Sequence, residues 1–267
     1  MENYDEGLGT VYERFMLNHF FDRLLDTNVV NKVLEVPIYG MTGLTGINSV
    51  HFAERGCTVT LMDSRREKID EAISLWNVLK RHEGKYEVLC QGDNVKLPFP
   101  DGYFELVWNF AALWHVHEPE LILSEMARVS SNLVLIFMPN KKQLGYQLRK
   151  YLFDKDFFDK IDERWAGVDR TVLFLKSLGL SMKDQGVIDV PPWPDTCVPI
   201  GPVLEKLKIK GRAKNSRWTW DMMSYYLGEN SRLKGKIDTL SFLENMPIPW
   251  QIKALWAHHR YVVFSKI

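Results

Sequence analysis

Between residues 9 and 26 apolar side chains return at three- and four-residue steps (Tyr12, Phe15, Met16, Phe20, Leu24), which predicts an amphipathic helix. After it the period changes. Short β-prone runs near 32–36, 58–62, 86–90, 104–109 and 132–138 alternate with helical patterns near 46–55, 65–81, 118–130 and 166–178. Such alternation predicts an α/β fold with a doubly wound, mostly parallel sheet, and the leading helix is expected to pack across its mouth. Two further strands, near 181–190 and 260–266, bring the expected sheet to seven and place an insertion before the last strand.

The expected domain organisation is a helical cap over 1–30, a core over 31–190 plus 258–267, and an insertion over 191–257. The insertion carries Trp193, Trp218, Trp220, Trp250 and Trp256 among seven prolines. It reads either as a lid over a substrate or as a cap that buries aromatic surface. Between Val203 and Lys236 nine basic residues face three acids, a pattern of a solvated face or of a docking surface for an anionic partner. Across the whole chain 34 basic and 34 acidic side chains cancel, so no global field gathers DNA or an anionic membrane. An RNA or protein partner stays open.

Cys57, Cys90 and Cys197 are odd in number and widely spaced, which suggests neither a disulfide framework nor a zinc site. His258 and His259 have no third ligand at a useful spacing, so no metal is expected. The amino terminus lacks a basic flank and apolar run, and no apolar stretch of membrane-spanning length occurs; a cytoplasmic protein is the expectation.

The chemistry concentrates at the ends of the early strands. Val33–Val36 carries Glu35 and opens a loop with Gly40, Gly43 and Gly46; Val59–Met62 ends at Asp63; and Asp93-Asn94 precedes Leu97-Pro98-Phe99-Pro100-Asp101-Gly102-Tyr103-Phe104. A strand ending in a carboxylate before a glycine loop, followed by another ending in a carboxylate, is how an α/β sheet holds an adenosine-containing ligand. Asp63, as a bidentate acceptor, suits a ribose diol.

With these residues the chain resembles the class I S-adenosylmethionine-dependent methyltransferases, particularly their small-molecule branch, over about residues 30 to 140. The most specific pieces are the segment from Gly92 to Val107 and the turn Ala112-Leu113-Trp114-His115-Val116-His117-Glu118-Pro119. The resemblance implies a Rossmann-like methyltransferase fold and S-adenosylmethionine as cofactor. It places Glu35 near the methionyl part, Asp63 on the ribose, Asp93 and Asn94 at the adenine edge, and Asn109 with Phe110 beside the methyl group and the acceptor entrance. Tyr12, Trp193, Trp218 and Trp220 would line the small-molecule acceptor. His115 and His117 would serve as general base if an oxygen or nitrogen acceptor must lose a proton.

One feature departs from the family pattern. Glu35 and Asp63 lie 63 − 35 = 28 positions apart, where about 20 is expected of such folds. An insertion over 37–41 reconciles the count and leaves 42–46 as the loop that approaches the ligand. Three readings follow: a methyltransferase for a small or medium-sized, possibly flat or anionic acceptor; a catalytically silent binding or regulatory module on the same fold; or a methyltransferase acting on RNA or protein.

Overall fold

A computed structural model describes residues 6–38, 44–79, 85–90, 96–153, 155–159, 161–193 and 220–266. Helix α1 (Leu8–Thr27) leads into strand β1 (Lys32–Glu35), a 3-10 turn and the short helix α2 (Val50–Glu54), then β2 (Thr58–Asp63), α3 (Arg66–Val78) and β3 (Tyr86–Cys90). β4 (Phe104–Phe110), α4 (Pro119–Val129) and β5 (Ser130–Pro139) follow. Two short helices, α5 (Leu144–Leu148) and α6 (Lys155–Phe158), precede α7 (Val168–Ser177) and β6 (Ser181–Ile188). The described part of the insertion holds α8 (Met222–Tyr226), α9 (Arg232–Leu240), α10 (Phe242–Asn245) and α11 (Trp250–Lys253), and β7 (His259–Ser265) closes the chain.

The seven strands form one sheet in the order β3-β2-β1-β4-β5-β7-β6. All pairings among β1 to β5 are parallel, and β7 runs antiparallel between β5 and β6. Because helices cover both faces, β4 and β5 read as almost unbroken apolar runs instead of alternating ones. On one face Phe21 of α1 meets Phe52 of α2 at 4.2 Å and Trp108 of β4 at 5.0 Å between ring centres. On the other, Ile122, Leu123 and Met126 of α4 and Leu175 of α7 share a core with Val107, Val134, Ile136 and Val262.

The fold matches the seven-stranded expectation, but α1 does not lie as its sequence suggests. It runs down the sheet face: Tyr12 near its start bonds the Val190 carbonyl just after β6, while Phe20 and Phe21 further on pack against Phe137 of β5. Nor is it amphipathic in its first half, since residues 11 to 18 are all buried. The reason is tertiary. The insertion covers the helix from outside: Asn18 Nδ2 donates to the Tyr226 hydroxyl at 2.9 Å, Phe15 meets Tyr225 edge-on, and Glu6 accepts from the Met222 amide. The amino-terminal helix and the late insertion thus pack on each other over one sheet face.

Candidate active site at the carboxyl edge of the sheet

Parallel strands deliver their last residues to one edge, and the sequence has loaded that edge with polar groups. Glu35, Asp63 and Asn109, at the ends of β1, β2 and β4, are each fully buried. Burial of a carboxylate costs several kcal/mol unless it is bonded, so each must have partners. Glu35 Oε2 accepts from the Ser49 hydroxyl at 2.6 Å, and that hydroxyl accepts in turn from the Trp108 indole at 3.2 Å. Asn109 Nδ2 donates to the Pro37 carbonyl at 3.0 Å while its Oδ1 accepts from the Ala112 amide at 3.2 Å, tying the end of β1 to the turn after β4. Ala111 in that turn stands at φ +46°, a left-handed conformation that side chains other than glycine seldom adopt.

Asp63 is held by its own neighbour. Its Oδ1 accepts from the Arg65 amide and Nε, both at 2.8 Å, and its Oδ2 from Nη2 at 2.7 Å; the same Nη2 donates to the Ile38 carbonyl. The guanidinium therefore sits where the resemblance places a ribose. Gly46 has φ +79°, and a Cβ on it would stand 3.2 Å from Ala72 and from Leu61, while its carbonyl accepts from the Trp76 indole. Its bare face is filled by α3 and β2. Gly46 thus meets a demand for close packing behind the loop, in addition to the ligand approach the resemblance implies.

Toward the other end of the same edge lies a cluster that spacing along the chain does not disclose. Asp189, just past β6 and itself left-handed at φ +66°, bonds His258 Nδ1 through Oδ2 at 2.6 Å. His259 Nδ1 lies 3.7 Å from that oxygen and 3.7 Å from Glu13 Oε2 of α1. Phe110 packs on the His259 ring at 4.7 Å, and Tyr12, next to Glu13, meets Trp193 edge-on at 5.2 Å. Burial pushes the Glu13 carboxyl up to about 6, with His259 pulling the other way. For Asp189 burial also disfavours the charge, yet the neighbouring His258 and His259 prevail and hold it below the usual carboxylate range. Glu244 bonds the Val190 amide at 2.7 Å, and burial raises it to about 7.

The structure thus brings Glu35, Asp63, Asn109 and Phe110 to one edge, with Phe110 on the His259 ring and Tyr12 against Trp193. His115 and His117 sit exposed just after β4, and desolvation by its surroundings and then the Arg65 charge lower the His115 pKa. Trp220 is half-buried in the cap, its carbonyl accepting from the Glu6 amide. Gly40, Gly43, Asp93, Asn94 and Trp218 lie outside the described residues. Sequence reasoning noticed His258-His259 but sought their partners by local spacing; Glu13 and Asp189 arrive from α1 and from beyond β6, which only the topology brings together.

Residues 41–136 match the family model described as a methyltransferase domain. No curated protein sequence matches the chain. Solved structures similar to it include magnesium protoporphyrin IX methyltransferase from Synechocystis PCC 6803 with bound S-adenosylhomocysteine (12% identity, TM-score 0.56, covering 97% of this chain and 84% of that one). Another is geranyl diphosphate methyltransferase in complex with S-adenosylmethionine (11%, TM-score 0.51, 96% and 86%). A third is the 4+2 cyclase SpnF (13%, TM-score 0.51, 93% and 81%). At these identities the likeness is one of fold: the Rossmann-like sheet of the class I methyltransferases, with an insertion before the last strand.

Proposed function

We propose that the protein is an S-adenosylmethionine-dependent methyltransferase acting on a small or medium-sized acceptor. The observation that carries this reading is the row of three buried polar groups, Asp63, Glu35 and Asn109, at the carboxyl ends of the adjacent strands β2, β1 and β4. Ligands of open α/β sheets bind outside that edge, and the methyltransferase-domain match over residues 41–136 takes in β2 and β4 and begins just after β1. In this reading Asp63 receives the ribose hydroxyls once Arg65 swings aside. Arg65 is 40% exposed at its side chain and Asp63 1%, so the guanidinium can turn to water, while the buried carboxylate stays satisfied only if the diol takes over its hydrogen bonds.

The cofactor supplies an already activated methyl group, and transfer then asks the protein mainly to align acceptor, methyl carbon and leaving sulfur. Phe110, on the His259 ring, and the Tyr12–Trp193 pair supply aromatic surface suited to that task near the Glu13–Asp189–His259 cluster. His115 or His117 would accept the proton of an oxygen or nitrogen acceptor.

A second reading has its own support: both Asp63 oxygens are taken by Arg65, as a silent binding module could retain, and the fold also carries a protein named as a cyclase. The basic run proposed for a macromolecular acceptor contributes Arg232, Lys234 and Lys236 on α9, and Lys234 already pairs with Asp238. Thermal denaturation with added S-adenosylmethionine or S-adenosylhomocysteine separates the first two readings. Ligand at 100 times its dissociation constant stabilises the native state by about 2.7 kcal/mol, whereas an unchanged melting temperature at millimolar ligand favours the silent module.

A further inference from the structure

We infer that Glu13, Asp189 and His259 form a binding site for one divalent transition-metal ion, of the Zn²⁺ or Mn²⁺ kind, on the acceptor side of the sheet edge. One ligand atom from each residue lies within 4.8 Å of the other two. An ion bonded at about 2.0–2.2 Å to imidazole nitrogen and carboxylate oxygen draws such donors together with sub-ångström shifts. Mixed nitrogen and oxygen donors suit first-row divalent ions better than Mg²⁺ or Ca²⁺, which take oxygen alone.

The site also has what an acidic cluster alone lacks. Glu13 is 9% exposed, and its Oε1 is buried without a hydrogen-bond partner among the described residues. His259 Nδ1 is in the same condition; at 3.7 Å from Glu13 Oε2 and from Asp189 Oδ2 it is too far to hydrogen-bond either. A carboxylate oxygen and a ring nitrogen so buried are costly when unpaired; a cation bonded to His259 Nδ1 and held by both oxygens of Glu13 satisfies the two together.

The surroundings fit a ligand set. His258 Nδ1 bonds Asp189 Oδ2 at 2.6 Å and so orients the carboxylate, as outer groups do around metal ligands. Phe110 packs on the His259 ring and fixes its plane. Arg14, the arginine that acts on Glu13, is neutralised by Glu6 at 3.0 Å and further bonded to Asn48, so its charge is not aimed at the cluster unopposed. Three protein ligands leave coordination positions for an oxygen donor of the acceptor, which the ion would orient and acidify. That role rests on the methyltransferase reading; the binding itself does not.

The test is a titration of the chelator-treated full-length protein with Co²⁺, a coloured stand-in for Zn²⁺, without cofactor or acceptor. We expect one Co²⁺ per chain, visible d–d bands without a thiolate charge-transfer band, and displacement by Zn²⁺. Glu13→Gln and His259→Ala should abolish the stoichiometric uptake, and His258→Gln should weaken it by about 10- to 100-fold. His51→Ala, which removes the α2 side of a pair with Asp22 of α1, should bind as wild type. Absence of stoichiometric uptake by the wild type overturns the inference. So does uptake that survives His259→Ala or that shows thiolate bands, which would assign the ion to a cysteine. If Glu13→Gln does not fold, the wild-type and His259→Ala titrations decide alone. Cofactor binding is measured separately, so failure of the metal site and failure of the methyltransferase reading are told apart.

Discussion

At the scale of single residues the account turns on how buried carboxylates are occupied. Asp63 shares its two oxygens with Arg65, so the two side chains make opposite predictions. Asp63→Ala should weaken S-adenosylhomocysteine binding by about 1.5–3 kcal/mol, the range for hydrogen bonds to a charged group. Arg65→Ala, which frees the carboxylate, should leave affinity unchanged or raise it; equal losses in both variants would mean that the pair acts as one structural unit. Glu244 makes a prediction in pH. Its carboxyl is raised from 4.5 to about 7, mainly by burial, so the folded state prefers it protonated. That contribution to stability is complete below pH 4.5 and is lost as pH rises through 7. Glu244→Gln escapes the loss, so its melting temperature should gain on wild type as pH rises from 4.5 to 7 and run parallel above. A constant difference across that range would show that burial does not set this group.

Among the elements, the loop between β1 and α2 carries a packing demand beside the expected ligand role. Its glycines read as a ligand loop, and Gly46 also holds a left-handed φ where a Cβ would crowd Ala72, Leu61 and Trp76. Gly46→Ala should therefore destabilise the fold by at least about 1–2 kcal/mol from the backbone alone. Urea denaturation measures this, and a loss of cofactor affinity at unchanged stability would restore the ligand-loop role. The strands were legible because a sheet covered on both faces writes itself as short apolar runs, and β1 to β7 fall within a few residues of their expected places. α5 and α6 were not anticipated, being too short to show a period. α1 was legible as a helix but not in its packing, because its outer side is buried by α8 and α9, far along the chain.

For the whole molecule the same division holds between what is local and what topology assembles. Glu35, Asp63 and Asn109 were readable as site candidates since each ends a strand, and strand ends meet at one edge of a parallel sheet. The Glu13–Asp189–His259 cluster was not, because β7 turns back antiparallel and carries His259 to the edge where α1 begins and β6 stops. α1 and the described part of the insertion pack on each other over one face of the sheet. On the methyltransferase reading proposed above, a cofactor would lie over β1, β2 and β4 and an acceptor toward β7. The most direct test is calorimetric titration of S-adenosylhomocysteine, which binds without turnover, into the purified protein. The account predicts saturable binding of one molecule per chain that is weakened in Asp63→Ala. No heat and no saturation at millimolar ligand would contradict it and leave a methyltransferase fold serving another purpose.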